Sequence, residues 1–175
     1  DRSVRSGNWT PAKFLGAELS GKTVGVVGFG TIGRLVAERC RGLNMTVVGH
    51  DPFVTESTFT EHGVEVRELD ALLQEADYVS LHCPVTESTR GLLGGERLAR
   101  RNPGARLINC ARGGLIDEVA LADALSSGHL GGAALDVFEQ EPPVGSPLFE
   151  QPNFYFTPHL GASTHVAQTA VGVQI

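Results

Sequence analysis

Three side chains in the second half of the sequence are of the types that move a proton beside a bound anion. Arg112 stands in N-C-A-R-G-G (109–114), Glu141 ends D-V-F-E-Q-E (136–141), and His159 stands in T-P-H-L-G (157–161). A guanidinium clamps a carboxylate through two parallel hydrogen bonds and polarises an adjacent carbonyl. An imidazole takes the proton of a hydroxyl as hydride departs and returns it in the reverse direction. A carboxylate on the other ring nitrogen fixes the tautomer and stabilises imidazolium, and Glu141 is the candidate for that part. Each residue also has a plainer reading. Arg112 could pair with a surface acid, Glu141 could be a solvated loop acid before two prolines, and His159 could bond a backbone group. Together they point to acid–base chemistry on a small anionic substrate. His50, His62, His82, His129 and His165 lack such company and read as structural.

The elements that carry these groups follow from hydrophobic pattern. Val24–Val27, Met45–Gly49, Tyr78–His82, Arg106–Cys110, Ala133–Val137 and Phe154–Thr157 read as strands, with a short extended piece at Val64–Val66. Between them, Ile32, Leu35, Val36, Cys40 and Leu43 share one helical face, as do Leu69, Leu72, Leu73 and Ala76. Further helices are expected at 54–63, from about Gly94 to Arg101, from the N-cap Asp117 to Gly128, and from Ser163 and Thr164 to the terminus. Strands alternating with helices over short connections imply an α/β, doubly wound parallel sheet. In such a sheet ligands lie outside the carboxyl ends of the strands, where Asp51, Cys83, Arg112, Asp136 and His159 all fall.

The first strand runs into three glycines, Gly28, Gly30 and Gly33, in V-G-F-G-T-I-G. That is the spacing of a dinucleotide fingerprint: Gly28 for the sharp turn, Gly30 for close approach of a pyrophosphate, Gly33 for tight packing of helix on strand. The helix N-terminus beyond it favours phosphate. A glycine-rich turn after any α/β strand has the same letters, so the second strand matters. It ends in Asp51, an acid placed to hydrogen-bond the adenosine ribose and repel a 2′-phosphate, which favours NAD over NADP. Asp51 also suits a turn ahead of Pro52.

At 175 residues the chain is long enough for one domain with a sizeable core, with residues 1–20 as a lead-in and 21–175 as the cofactor domain. The net charge of −6 offers no general attraction for nucleic acid, and Arg97, Arg100 and Arg101 read as a solvated helix face. No apolar run approaches the ~20 residues of a membrane span. Cys40, Cys83 and Cys110 lack metal-ligand spacing and are expected to be reduced, in a cytoplasmic setting without a metal. The chain begins at Asp1 and has its sole methionine at Met45, so part of a longer product is expected.

The stretches V-G-V-V-G-F-G-T-I-G-R, G-H-D-P-F, L-H-C-P, N-C-A-R-G-G-L-I-D-E, G-G-A-A-L-D-V-F-E-Q-E-P-P and T-P-H-L-G-A-S-T together resemble the D-isomer-specific 2-hydroxyacid dehydrogenases, from about Trp9 onward. The resemblance implies a Rossmann-type NAD-binding domain whose companion substrate domain, built from flanking segments, is absent from this chain. It implies Arg112 on the substrate carboxylate and carbonyl, His159 as acid/base and Glu141 as its partner. Asp136 would sit near the nicotinamide, and Asp51 would hold the ribose. Thr31 and Ile32 would meet the pyrophosphate, while Cys83, Cys110, Ala111, Leu160, Gly161 and Ala162 would line the cofactor.

Within the family, H-L-G-A-S-T with N-C-A-R-G-G is most similar to members that oxidise D-3-phosphoglycerate. Siblings acting on hydroxypyruvate, glyoxylate or D-lactate, and NAD(H)-binding transcriptional co-repressors, remain open at this point. Paired identical subunits are implied by the resemblance alone. Two departures stand out: Thr31 replaces an arginine frequent in relatives, and Cys83 a frequent threonine. The single domain is expected to bind NAD(H) and to turn over poorly, having nothing to close over the substrate.

Overall fold

The computed structural model describes residues 2–165 together with Ala167 and Thr169. Seven parallel strands form one sheet: β1 (Thr23–Val27), β2 (Thr46–His50), β3 (Glu65–Val66), β4 (Tyr78–Leu81), β5 (Arg106–Asn109), β6 (Gly132–Leu135) and β7 (Phe154–Phe156). Their order is β3-β2-β1-β4-β5-β6-β7, as a doubly wound sheet requires, with the switch point between β1 and β4. The helices are α1 (Arg2–Arg5), α2 (Thr31–Gly42), α3 (Glu56–Glu61), α4 (Leu69–Glu75), α5 (Gly95–Ala99) and α6 (Glu118–Ser126). No helix among the described residues is long and apolar enough to cross a membrane.

Alternation along the strands sorts the core into two clusters on opposite faces. Val24, Val26 and Val47 pack with Ala37 of α2 and Phe59 of α3. Val27, Val48, Val79, Leu81 and Leu107 pack with Leu69, Leu72 and Leu73 of α4, Leu98 of α5 and Leu121 and Leu125 of α6. Fully burying each of these valine, leucine and phenylalanine side chains contributes about 1.5–3 kcal/mol. Being covered on both faces, the sheet hides its strands as near-continuous apolar runs.

Register decides where the chemistry appears. Val27 is level with His50 and with Leu81, Leu81 with Asn109, Asn109 with Leu135, and Leu135 with Phe156. Six strands therefore finish in one row, and the residues after them emerge along one rim about 24 Å long at the usual strand spacing.

Two expectations need correction. The apolar stripe on α2 is not the buried one: Ile32, Leu35 and Leu43 are exposed, and Gly33 and Ala37 face the sheet, because small residues let the helix lie close to β1. Nor do the three arginines form one solvated face. Arg97 pairs with Asp70 at 2.8 Å and Arg100 with Glu96 at 2.7 Å, both at the surface. Arg101 instead is 2% exposed and donates from Nη2 to the Arg106 carbonyl. The helix ends at Ala99, so Arg101 no longer follows its face, and burial pushes its guanidinium down to about 10. Residues 2–20 are exposed apart from the half-buried Ser3, and hold α1 and a 3-10 turn at Pro11–Phe14. The helix expected from Ser163 and Thr164 onward lies largely outside the described residues.

Candidate active site

The turn from β1 into α2 is built by its glycines. Gly28 has φ +93°, and a Cβ there would meet the backbone of His82 and Cys83. A Cβ on Gly33 would overlap the Gly28 carbonyl oxygen, so helix and turn pack backbone to backbone, while over Gly30 the space is open. Gly30 is the N-cap of α2 and supplies no side-chain cap; the amides of Thr31, Ile32 and Gly33 have no acceptor among the described residues. A 12-residue helix with free leading N–H groups under open space fits a pyrophosphate. Thr31 and Ile32 are exposed there.

Asp51 follows β2 and forms the turn that the plainer of its two readings expects, while also bonding into the glycine turn. Its Oδ2 accepts from the Phe29 amide inside the glycine turn at 2.8 Å, and its Oδ1 accepts from Phe53 N at 3.0 Å, forming the turn at Pro52. Each oxygen keeps a lone pair for an outside donor. Gly28, Asp51 and Cys83 share a cavity of about 590 Å³, also lined by Phe53 and Leu92. A second cavity of about 310 Å³ gathers Ile32, Cys83, Cys110, Ala111 and Arg112. Burial pushes both thiols up, and at Cys110 the charge of Asp136 adds to it.

Arg112 is presented by a turn that Asn109 fixes. Asn109, 2% exposed, donates from Nδ2 to the Arg112 carbonyl at 2.9 Å and accepts from Ala111 N at 3.0 Å. The Arg112 guanidinium is exposed, donates to the Ala111 carbonyl, and has no acid within ion-pair distance among the described residues. Its fork is therefore open to an anion.

His159 and Glu141 do meet, with Nδ1 and Oε2 2.8 Å apart. The His159 contact first, and then the Phe138 amide on Oε1 at 3.1 Å, hold the Glu141 carboxyl below the usual range. An ionised carboxylate only accepts, so the ring donates from Nδ1 and its Nε2 is the basic nitrogen when neutral.

The loop that carries His159 hangs on Asp136, which is 4% exposed. Its carboxylate accepts from Thr157 Oγ1, from Leu160 N at 2.7 Å and from Gly161 N at 2.8 Å, and its carbonyl accepts from His159 N at 2.9 Å. His159 thereby sits at φ +54°, a left-handed backbone that is uncommon outside glycine. Burial alone would raise Asp136; the Thr157, Leu160 and Gly161 donors outweigh it and hold the carboxyl low. The Asp136 carboxylate is turned into the protein's own loop. Ala162 follows at the exposed end of that loop.

The structure thus sets Gly28 to Gly33, Asp51, Cys83, Cys110 to Arg112, Asp136 and His159 to Ala162 along one rim, and brings Glu141 to His159. Sequence reasoning passed over Asn109, Arg34 and Glu118. Arg34 donates from Nε to the Phe29 carbonyl at 2.9 Å and clasps the glycine turn. Asn109 had a signal, an Asx residue at a strand end before a turn. Arg34 and Glu118 had none, since both look like ordinary helix-surface charges. Among the described residues no group of His, Cys, Asp or Glu is arranged to hold a metal.

Sheet order, glycine turn and the histidine–carboxylate pair define a class, and comparison agrees. Residues 1–161 match the family described as D-isomer specific 2-hydroxyacid dehydrogenase, NAD binding domain, and the chain belongs to that family. The chain is 50% identical over 173 residues to the D-3-phosphoglycerate dehydrogenase of Bacillus subtilis (strain 168), covering 99% of this chain and 33% of that protein. It is 46% identical over 171 residues to the protein of the same name from Methanocaldococcus jannaschii, covering 97% of this chain and 33% of that one. The chain therefore spans about a third of the length of these relatives. Among solved structures, a glyoxylate reductase from Paecilomyes thermophila superposes with a TM-score of 0.89 at 36% identity, over 98% of this chain and 52% of that one. The NAD-dependent formate dehydrogenase of Staphylococcus aureus, in complex with NAD, gives a TM-score of 0.88 at 33% identity, over 97% and 51%.

Proposed function

We propose that this chain is the cofactor-binding part of an enzyme that oxidises D-3-phosphoglycerate at C2 with NAD. The observation that carries the chemistry is the His159–Glu141 pair at 2.8 Å on the same rim as the glycine turn. The relatives at 46–50% identity support the substrate. In this reading residues 1–20 are the lead-in and 21–175 the cofactor domain.

Bound NAD supplies the hydride acceptor. The leading amides of α2 at Thr31 and Ile32 hold the pyrophosphate, and Asp51 takes the adenosine ribose. Cys83, Cys110, Ala111 and the run His159–Ala162 line the path between. Arg112 grips the substrate carboxylate and orients the C2 oxygen toward His159. Nε2 takes the hydroxyl proton as the C2 hydride leaves, and Glu141 stabilises the imidazolium that results. Asp136 keeps the loop of His159 in place.

Paired identical subunits belong to this proposal, and the exposed Trp9, Phe14 and Leu15 are apolar surface that a second subunit could cover. The free thiols suit a reducing cytoplasm. The test is NADH formation by the full-length gene product at matched concentrations of 3-phosphoglycerate, D-glycerate, glyoxylate's reduced form and D-lactate, with NADP beside NAD. Preference for 3-phosphoglycerate with NAD is expected. Preference for another acid overturns the substrate, and NADH binding without turnover overturns the catalytic reading in favour of a co-repressor.

A further inference from the structure

Arg112 and Glu141 come from different strand ends, yet the segments behind them touch. A Cβ on Gly113 would overlap the Phe138 carbonyl, so the turn after Arg112 lies directly on the backbone that leads to Glu141. One residue into α6, Glu118 reaches across 21 positions and its Oε1 accepts from the Glu139 amide at 2.8 Å. Its neighbour Asp117 already caps the helix by accepting from Val119 N and Ala120 N, so Glu118 is free of that task.

The base on which Glu118 stands is anchored. Gly91 N, Leu93 N and Asp117 N form backbone bonds that join 91–93 to 114–117. Arg90 also pairs with Glu139 at 3.2 Å, but both side chains are more than 60% exposed, and such pairs contribute little. A half-buried carboxylate on a backbone N–H is a stronger tie.

We infer that Glu118 is a positioning residue: it locks the Arg112 turn to the 138–141 loop, so that Glu141 keeps its place on His159. The inference rests on the reading of Glu141 and His159 given above. Phe138 N already holds Glu141 Oε1, and the next amide, Glu139 N, is the one that Glu118 secures. Releasing it lets the Phe138–Glu141 turn rotate and carries Oε2 away from the ring.

The test is the titration of the Glu141 carboxyl, followed by carbon NMR in the labelled chain. In His159→Asn it rises toward the ordinary carboxylate value because the partner is gone; that shift sets the scale. Glu118→Ala and Glu118→Asp, the second retaining charge but falling one methylene short, should each raise it by about a third of that shift or more. Glu118→Gln, whose amide oxygen still accepts from Glu139 N, should not. Loss of a neighbouring negative charge would lower the Glu141 value, so a rise in the alanine variant reports displacement and not charge. If His159→Asn raises the titration and neither the alanine nor the aspartate variant does, Glu118 positions nothing. A rise in Glu118→Gln equal to that in Glu118→Ala also overturns the inference. If His159→Asn itself changes nothing, the pairing of Glu141 with His159 fails first.

Discussion

Replacing Asp136 by alanine removes the acceptor for three donors at once: Thr157 Oγ1, Leu160 N and Gly161 N. Hydrogen bonds to a charged group contribute about 1.5–3 kcal/mol each. The three donors belong to exposed residues that water can reach once the loop opens, so the lower end applies, and the sum is discounted to about 3 kcal/mol. The loss is local before it is global, because only the loop from Thr157 to Gly161 depends on these bonds. Hydrogen exchange of the Leu160 and Gly161 amides is the direct assay. Their protection should fall by roughly a hundredfold or more in Asp136→Ala, following the tenfold change per 1.4 kcal/mol. Asp136→Asn keeps one acceptor oxygen and should fall between. The same variants should weaken NADH binding, since His159 leaves its left-handed backbone once the clamp is gone. Unchanged protection of both amides in the alanine variant would refute the argument that the carboxylate holds this loop.

Gly33→Ala places a methyl group against the Gly28 carbonyl and should cost about 1–3 kcal/mol in urea unfolding, more than the helix propensity that alanine returns. Asp51→Ala removes the acceptor of Phe29 N along with the ribose ligand proposed above, so the Kd for NADH by fluorescence should rise at least about tenfold. Asp136 and Glu141 both hold folded values below their ordinary 3.8 and 4.5, so the unfolded chain binds more protons below about pH 5. Their contribution is complete above the unfolded values and is lost as pH falls through the folded ones; urea midpoints should drop from pH 5 to pH 3, less steeply in Asp136→Asn. Cys110 is exposed at the surface but its thiol is pushed up by burial of the sulfur and by Asp136, so iodoacetamide should label it more slowly at pH 7 than a free thiol.

Much of this was legible in the chain itself. Short, mostly apolar runs bounded by turn signals marked the strands, and the spacing of Gly28, Gly30 and Gly33 marked the one turn that must approach a ligand, because local backbone geometry is dictated by local residues. The doubly wound fold followed from strand–helix alternation, since parallel neighbours need crossovers of one hand, whereas the strand order came from the structure. Helix burial was less legible: Ile32 and Leu35 have the apolar character of core residues, but the rotation of α2 is set by how closely Gly33 allows it to approach β1. Arg101 was misread for a related reason, since where α5 stops decides which side of the chain it shows.

Sequence alone determined which chemical groups stand at the strand ends, because each strand's own pattern fixes where it stops. It did not determine what those groups touch. The distance from Glu141 to His159, the three donors on Asp136, and the reach of Glu118 to Glu139 join residues 18, 21 to 25, and 21 positions apart. Such contacts depend on the register of β5, β6 and β7 and on how their loops settle against one another. A carboxylate in a loop has the same letter whether it faces water or a buried amide, and only the packed structure chooses between them.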